Sequence, residues 1–488
     1  MKLKTWRRHH NRVGIVICFF LLMFCLSGIV LNHRGVFANA EISRKWLPSR
    51  YEYNDWNGGL MRGTLNYEGH VLVYGANGIW LTDSIASSFA DFNHGIPSHA
   101  DFRQVRGMVS TSNGRLYAVT PTALYRYYGG HIGWRAVSLP VTDDDRLSDV
   151  TAEGDTVVVA GRSYLYVSLG ANKPFVRTGL QAPDGFENKG TLFRTIWLLH
   201  SGELFGTVGK LVVDAIALIM IVLCITGFAY WLLPKYAKKR HVLIRLSLLW
   251  HDRIGRATII LTLLTAVSGW CLRPPVMIPL AMTKAKAVPY TTLDSHNPWH
   301  DRLRMVRYDT DKGDWLLSTS DGMFSLPALS AKPVRLSPTP PVSVMGLNVL
   351  QKDSAGRWLC GSFSGLFIWD RDSGKSTDFF TNEPAPAKAG PPFGKKAISG
   401  FSADFKTKPF AVEYYDGTTA VRQPETLRQL PMSLWNVALE VHSGRIFIGI
   451  YATFVFVLIV GGACIWCLWS GYKIRRKSPK HTRQNTYK

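Results

Sequence analysis

Residues 10–31 read HNRVGIVICFFLLMFCLSGIVL, and residues 251–272 read HDRIGRATIILTLLTAVSGWCL. Both open on His-x-Arg-[Val/Ile]-Gly, at His10 and His251. Both reach Ser-Gly further on, at Ser27-Gly28 and Ser268-Gly269, with one offset of 241 residues. A second pair of motifs keeps almost the same spacing: His200-Ser201-Gly202 and His442-Ser443-Gly444 lie 242 residues apart. Any one of these motifs is weak, but a near-constant offset across all of them marks an internal duplication. Each half then reads as helix, long segment, helix.

The apolar runs set the scale of those helices. They are Val13–Leu31, Leu211–Leu233, Ala257–Leu272 and Ile446 to about Trp469. About 20 apolar residues are needed to cross the hydrocarbon core of a bilayer. The third run reaches that length when it begins at Ile254, so four transmembrane helices are expected. The formal charge is +23, and three short segments hold +18 of it: residues 1–12, 235–256 and 472–488. Lys and Arg beside helix ends stay on the cytoplasmic side. Both termini and the short middle loop are therefore expected in the cytoplasm, with about 34–200 and 274–441 outside. The basic charge is a topology signal and disfavours a nucleic-acid-binding role. Ala38-Asn39-Ala40 resembles a signal-peptide cleavage site, but the apolar run before it is longer than a usual signal core. Helix one is expected to be retained.

The expected layout is a cytoplasmic N-terminus and first helix (1–33), an outer β segment (34–197) and a second helix (198–234). A cytoplasmic loop (235–250), a third helix (251–273), a second outer β segment (274–438), a fourth helix (439–470) and a basic tail (471–488) complete it. Two halves entering from the same side form a parallel repeat around a pseudo-twofold axis along the membrane normal. The outer segments repeat as well. Gly114-Arg115-Leu116-Tyr117 leads to Ala123-Leu124-Tyr125-Arg126, and Gly356-Arg357-Trp358-Leu359 leads to Gly365-Leu366-Phe367-Ile368. Related units start at Gly69 and Gly313, and weaker ones near Gly154 and Lys408. Strand, turn, strand at this period reads as propeller blades. Three blades per half leave raw sheet edges, whereas six close a ring. One six-bladed propeller built from both segments is the expectation, and two separate β domains the alternative.

The histidines carry the chemistry. His10 and His251 mark the cytoplasmic ends of helices one and three; His200 and His442 mark the outer ends of helices two and four. Gly14 and Gly255 follow four residues later, and Gly28 and Gly269 fall five full turns on at 3.6 residues per turn. A glycine-lined face lets a flat macrocycle lie against the backbone. Imidazoles from facing helices suit axial ligation of haem iron, and Arg12 and Arg253 could pair with haem propionates. Glycine faces also serve plain helix packing, and zinc wants more ligands in closer cluster. His9 and His33 compete as ligands. Asp214, inside helix two, is expected to pair with Lys210. Cys464-x-x-Cys467 lies in an apolar helix, where packing is the simpler role.

The helices opening H-x-R-x-G resemble the PepSY-associated transmembrane family. So does a second helix of the form Leu199-His200, Gly206, Gly209, Thr226-Gly227, Trp231. That resemblance implies an inner-membrane iron-uptake protein of the ferric-siderophore reductase kind with two b-type haems. The strand repeats of the outer segments resemble bacterial sensor propellers. The expected activity is electron transfer from the cytoplasmic side, from quinol or a separate reductase, to a ferric siderophore or other periplasmic acceptor. A propeller sensor or scaffold and a siderophore permease are the rival readings, and both need no haem.

Overall fold

The computed structural model describes residues 2–142, 145–170, 172–236, 241–390 and 396–476. Part of the basic loop at 237–240, and the tail beyond 476, lie outside the described residues. The chain divides into a helical unit (1–37, 187–294 and 434–488) and a β unit (38–186 and 295–433).

The helical unit holds α1 (Leu3–Asn32), α2 (Leu192–Ser201), α3 (Gly206–Tyr236) and α4 (His241–Ala257). It continues with α5 (Ile259–Cys271), α6 (Met277–Met282), α7 (Leu434–His442) and α8 (Arg445–Arg476). Among the described residues, three stretches are long and apolar enough to cross a membrane: Leu3–Asn32, Glu203–Tyr236 and Ala452–Ile474. The third expected span is not one straight helix, because α4 and α5 meet at a 70° bend. The charge pattern gives the reason. Asp252, Arg253 and Arg256 are exposed near the end of α4, and charged side chains are expensive inside hydrocarbon. Apolar α5 suits it better than the charged end of the two-faced α4. Residues 241–250, expected as loop, belong to this helix.

The second and fourth helices differ from expectation in one respect. His200 does not ride on an outward extension of the long helix. It ends a separate helix, α2, and Gly202 then turns the chain at φ 82°. A Cβ on Gly202 would stand 2.2 Å from the Gly209 carbonyl oxygen, so only glycine permits this return. The second half repeats the device: His442 ends α7, Gly444 follows at φ 78°, and Gly449 kinks α8 at φ 74°.

The β unit contains four four-stranded antiparallel sheets and one six-stranded sheet. The leading strands are Gly63–Tyr67, Gly107–Ser110, Leu147–Glu153, Leu303–Asp309, Leu347–Lys352 and Ile398–Ser402. The last of these, with Phe410–Glu413, joins the first sheet through a parallel step at Gly63 and Phe401. Five of the six opening hairpins turn on a glycine with φ between 58° and 79°: Gly69, Gly114, Gly154, Gly313 and Gly356. The sixth turns through Asp404–Lys408 without one.

Apolar residues of adjacent sheets interlock in sequence. Leu72 and Ile79 pack with Leu116 and Tyr125; Val119 and Leu124 pack with Val150 and Val157. Val158 and Leu165 pack with Leu303 and Trp315, which joins the two outer segments in one core. Leu316 and Met323 pack with Leu350 and Trp358, and Leu359 and Leu366 with Ile398 and Phe401. Val412 and Phe405 then pack with Val71 and Val73 of the first sheet.

Polar bonds tie the leading strands together. Arg307 bonds the buried Asp149 carboxylate of one neighbouring sheet and donates from Nε to the Leu350 carbonyl of the other (2.8 Å). Arg307→Leu strands that carboxylate and is expected to destabilise the β unit by about 3–5 kcal/mol; thermal unfolding of the purified protein checks this. Residues 38–186 expressed alone lack the sheets that cover both ends of the series. They are expected to aggregate rather than melt cooperatively, as size-exclusion chromatography with thermal denaturation would show.

Candidate functional site

Four imidazoles meet in two pairs within the helical unit. The His10 and His251 ring centroids stand 6.0 Å apart, and so do those of His200 and His442. Each ring is held in the same way. His10 Nδ1 lies 3.0 Å from the Cys467 carbonyl oxygen and 3.1 Å from Ser470 Oγ. His251 Nδ1 lies 3.0 Å from the Leu223 carbonyl oxygen and 3.2 Å from Thr226 Oγ1. His200 Nδ1 lies 3.1 Å from Thr265 O and 3.2 Å from Ser268 Oγ. His442 Nδ1 lies 2.9 Å from Phe24 O and 3.1 Å from Ser27 Oγ.

This arrangement fixes the tautomer. A carbonyl oxygen only accepts, so Nδ1 must carry the proton. Each hydroxyl spends its own hydrogen on a helix carbonyl, as Ser27 does on Met23 (2.6 Å) and Thr226 on Val222 (2.7 Å). It is therefore left as a second acceptor for Nδ1–H. Nε2 is then an unprotonated donor atom, and in all four rings it has no hydrogen-bond partner among the described residues. None of the four Nε2 atoms is a sealed, unsatisfied buried atom; each faces space. Pinning Nδ1 on a carbonyl is the usual support for a metal-ligating imidazole.

The helices trade these groups pairwise. α1 gives His10 to the C-terminal end of α8 and takes His442 from α7 against its own Ser27. Likewise α3 takes His251 from α4 on Thr226, and α5 takes His200 from α2 on Ser268. The residue after each hydroxyl is glycine, and each glycine backs an imidazole. A Cβ would stand 3.3 Å from His442 Cε1 at Gly28 and 2.6 Å from His200 Cε1 at Gly269. At Gly227 and Gly471 it would stand 3.2 Å from the Cε1 of His251 and His10.

Gly28 and Gly269 thus do not line a macrocycle face on the helices of His10 and His251; an imidazole from another helix fills each of them. Gly14 faces Cys467 Sγ at 3.5 Å and Gly255 faces Leu223 Cδ2 at 3.6 Å, so these are helix contacts. Arg12 and Arg253 are exposed and make no ion pair among the described residues. His9 sits edge-on to Trp466. Asp214 does not pair with Lys210. It bonds His33 Nε2 at 2.6 Å and Asn32 Nδ2 at 3.1 Å, while Lys210 pairs with Glu203 at 2.8 Å. Cys464 and Cys467 are free thiols.

Sequence reasoning missed the Ser/Thr-Gly clamp as a four-fold motif. Thr226-Gly227 and Ser470-Gly471 were the signal, beside the two Ser-Gly pairs of the repeat. It also missed Arg273, which lies half-buried beyond α5 within electrostatic reach of Glu440 and His442.

Residues 2–233 and 137–335 match the family described as the PepSY-associated TM region, which together is more than half of the chain. The chain belongs to that family. A search of curated proteins finds no match. Among solved structures, the chain is similar to the extracellular domain of a hybrid two component system of B. thetaiotaomicron. Identity there is 10%, over 70% of this chain and 30% of that one, with a TM-score of 0.34. A second such extracellular domain from the same organism gives 9% identity, over 69% and 37%, with a TM-score of 0.32. YCF48 from Cyanidioschyzon merolae gives 11% identity, over 73% and 80%, with a TM-score of 0.32. The chain spans about a third of the length of the two B. thetaiotaomicron chains.

The donor set suits a haem iron. Metal–imidazole bonds run about 2.0–2.1 Å; two of them in line, plus the inner halves of two rings, span about 6 Å, which is the centroid spacing of both pairs. Among the described residues no three His, Cys, Asp or Glu side chains gather as a metal cage, so two opposed imidazoles are the donor set on offer. Gly269→Val pushes a branched side chain into His200 and is expected to abolish haem binding at that pair alone. Gly462→Val, in open space, should leave both sites intact. Haem content of the two purified variants checks the contrast.

Proposed function

We propose that the protein binds two haem b groups, His10 and His251 holding one and His200 and His442 the other, and carries electrons across a bacterial inner membrane to a periplasmic acceptor. The observation that carries the reading is the repeated clamp: four half-buried imidazoles, in two pairs with ring centroids 6.0 Å apart, each with Nδ1 pinned and Nε2 bare. When bound, haem iron supplies reversible one-electron exchange. The chain supplies the ligands, their tautomer and an apolar surrounding.

Along α1 the two clamps are well separated. His10 sits near one end and Phe24 to Gly28, which hold His442, near the other; at 1.5 Å per residue this is about 21–27 Å. That is close to the hydrocarbon thickness, about 30 Å, so one pair serves each leaflet. The bent helices α4 and α5 count as the fourth span in this reading. The Lys and Arg excess beside the helix ends supports cytoplasmic termini, which makes His10 and His251 the inner pair. We read the four four-stranded sheets and the two parts of the six-stranded sheet as six blades of one propeller, supported by the cores shared between successive parts and between the last part and the first. The β unit is then the place for the acceptor.

The family resemblance points to a ferric siderophore as that acceptor, because reduction weakens hard-oxygen coordination of iron. Electrons would come from quinol or a separate cytoplasmic reductase. A sensor, a scaffold or a permease would tolerate loss of the histidines, and this separates the readings. Pyridine haemochrome assay of the fully loaded protein is expected to count two haems per chain. His10→Ala should retain only the outer haem and His442→Ala only the inner one. Chemically reduced protein in proteoliposomes should be reoxidised by external ferric siderophore in stopped-flow absorbance, and His442→Ala should slow that step while the inner haem still reduces.

A further inference from the structure

Arg62 stands immediately before the first leading strand of the β unit, and its guanidinium is bonded to nothing. Nε is shut off from solvent without a hydrogen-bond partner. Neither Nη group forms a hydrogen bond or ion pair among the described residues, and neither is sealed, so that edge opens to solvent. Among other arginines with a sealed Nε, Arg103 pairs with Asp91, Arg445 pairs with Glu440, and Arg126 lies over the Tyr128 ring. Burial pulls the Arg62 guanidinium below its ordinary pKa, while the phenols of Tyr414, Tyr53 and Tyr74 oppose that.

The chain has built this vacancy with some care. Arg302 stands at the head of the fourth leading strand and pairs at 2.6 Å with Asp321, in the turn before Gly322. The matching turn before Gly78 carries Asn77, a neutral residue whose amide is engaged with the Tyr53 hydroxyl and the Pro431 carbonyl. Asp149 pairs with Arg307 through Oδ2, while its Oδ1 has no hydrogen-bond partner among the described residues, and Asp404 accepts from Thr64 and from Asn66 (2.8 Å). A Cβ on Gly59, at φ 73°, would stand 3.6 Å from Arg62 Nη2, in ordinary contact with the guanidinium. The Gly58 N–H is tied to the Tyr414 carbonyl oxygen at 2.7 Å, so the loop is held in place.

Buried charges are ordinarily paired. An arginine fork matches a carboxylate in a bidentate way, and a single cation suits one carboxylate better than a dianionic phosphate. We propose that Arg62, beside the Gly58–Gly59 turn, is a binding site for a carboxylate-bearing ligand of the β unit. The inference is independent of the haem reading, since it concerns one unit and a non-redox event.

The test uses the full-length protein in detergent, with citrate and inorganic phosphate as probes, read by isothermal titration calorimetry and thermal melting. Citrate is expected to bind saturably and to raise the melting temperature. Arg62→Gln should abolish both effects while folding at least as well, having shed an unpaired charge. Arg62→Lys keeps the charge but loses the fork, and should weaken citrate by about tenfold. No saturable citrate binding, or citrate binding that persists in Arg62→Gln, overturns the site. Phosphate bound more tightly than citrate through Arg62 overturns the carboxylate assignment.

Discussion

An imidazole inside a membrane bundle must have its N–H satisfied by the protein, because lipid offers nothing in exchange. Here that need is met four times by one device: a helix carbonyl with a Ser or Thr hydroxyl three residues on, and a glycine after it that lets the Nδ1–Cε1 edge of the ring approach the backbone. The rest of the helical unit follows from this clamp. It decides which helices pair, since the first helix exchanges histidines and hydroxyls with the last, and the middle two do the same. It also explains the paired breaks at Gly202 and Gly444. The break places each of His200 and His442 near the end of its own short helix, from which its ring bonds a neighbouring helix.

The two halves are not equivalent throughout. His33, Asn32 and Asp214 form a hydrogen-bonded cluster in the first half, and their counterparts in the second include Pro274 and Arg273. Arg273 brings positive charge toward His442 where the first half has a hydrogen-bonded carboxylate. The duplication therefore preserved the clamps and let their surroundings diverge, as expected if the clamps carry the shared chemistry and the surroundings tune each site.

Much of this was legible in the residues. The constant offset between the His-x-Arg and His-Ser-Gly motifs selects the four histidines, and glycine spacing finds five of the six opening hairpins. What escaped has physical causes. Helical-wheel arithmetic tells which face of its own helix Gly28 occupies, but not that a ring from another helix fills it. Asp214 has Lys210 one turn away in sequence, yet a partner 181 residues off lies closer. The bend after α4 is hidden because Arg253 and Arg256 read equally well as the flank of a straight span. The sixth hairpin turns without glycine, and so lacks the mark that identifies the others.

The account stands on two opposed imidazole pairs acting as separate one-electron centres. Potentiometric titration of the visible absorption of the purified protein tests it most directly. The account predicts a low-spin b-type spectrum that titrates in two one-electron steps, with one step lost in His251→Ala and the other in His200→Ala. A protein that shows no haem absorption when expressed with ample haem, or one whose two steps both survive these substitutions, would contradict it.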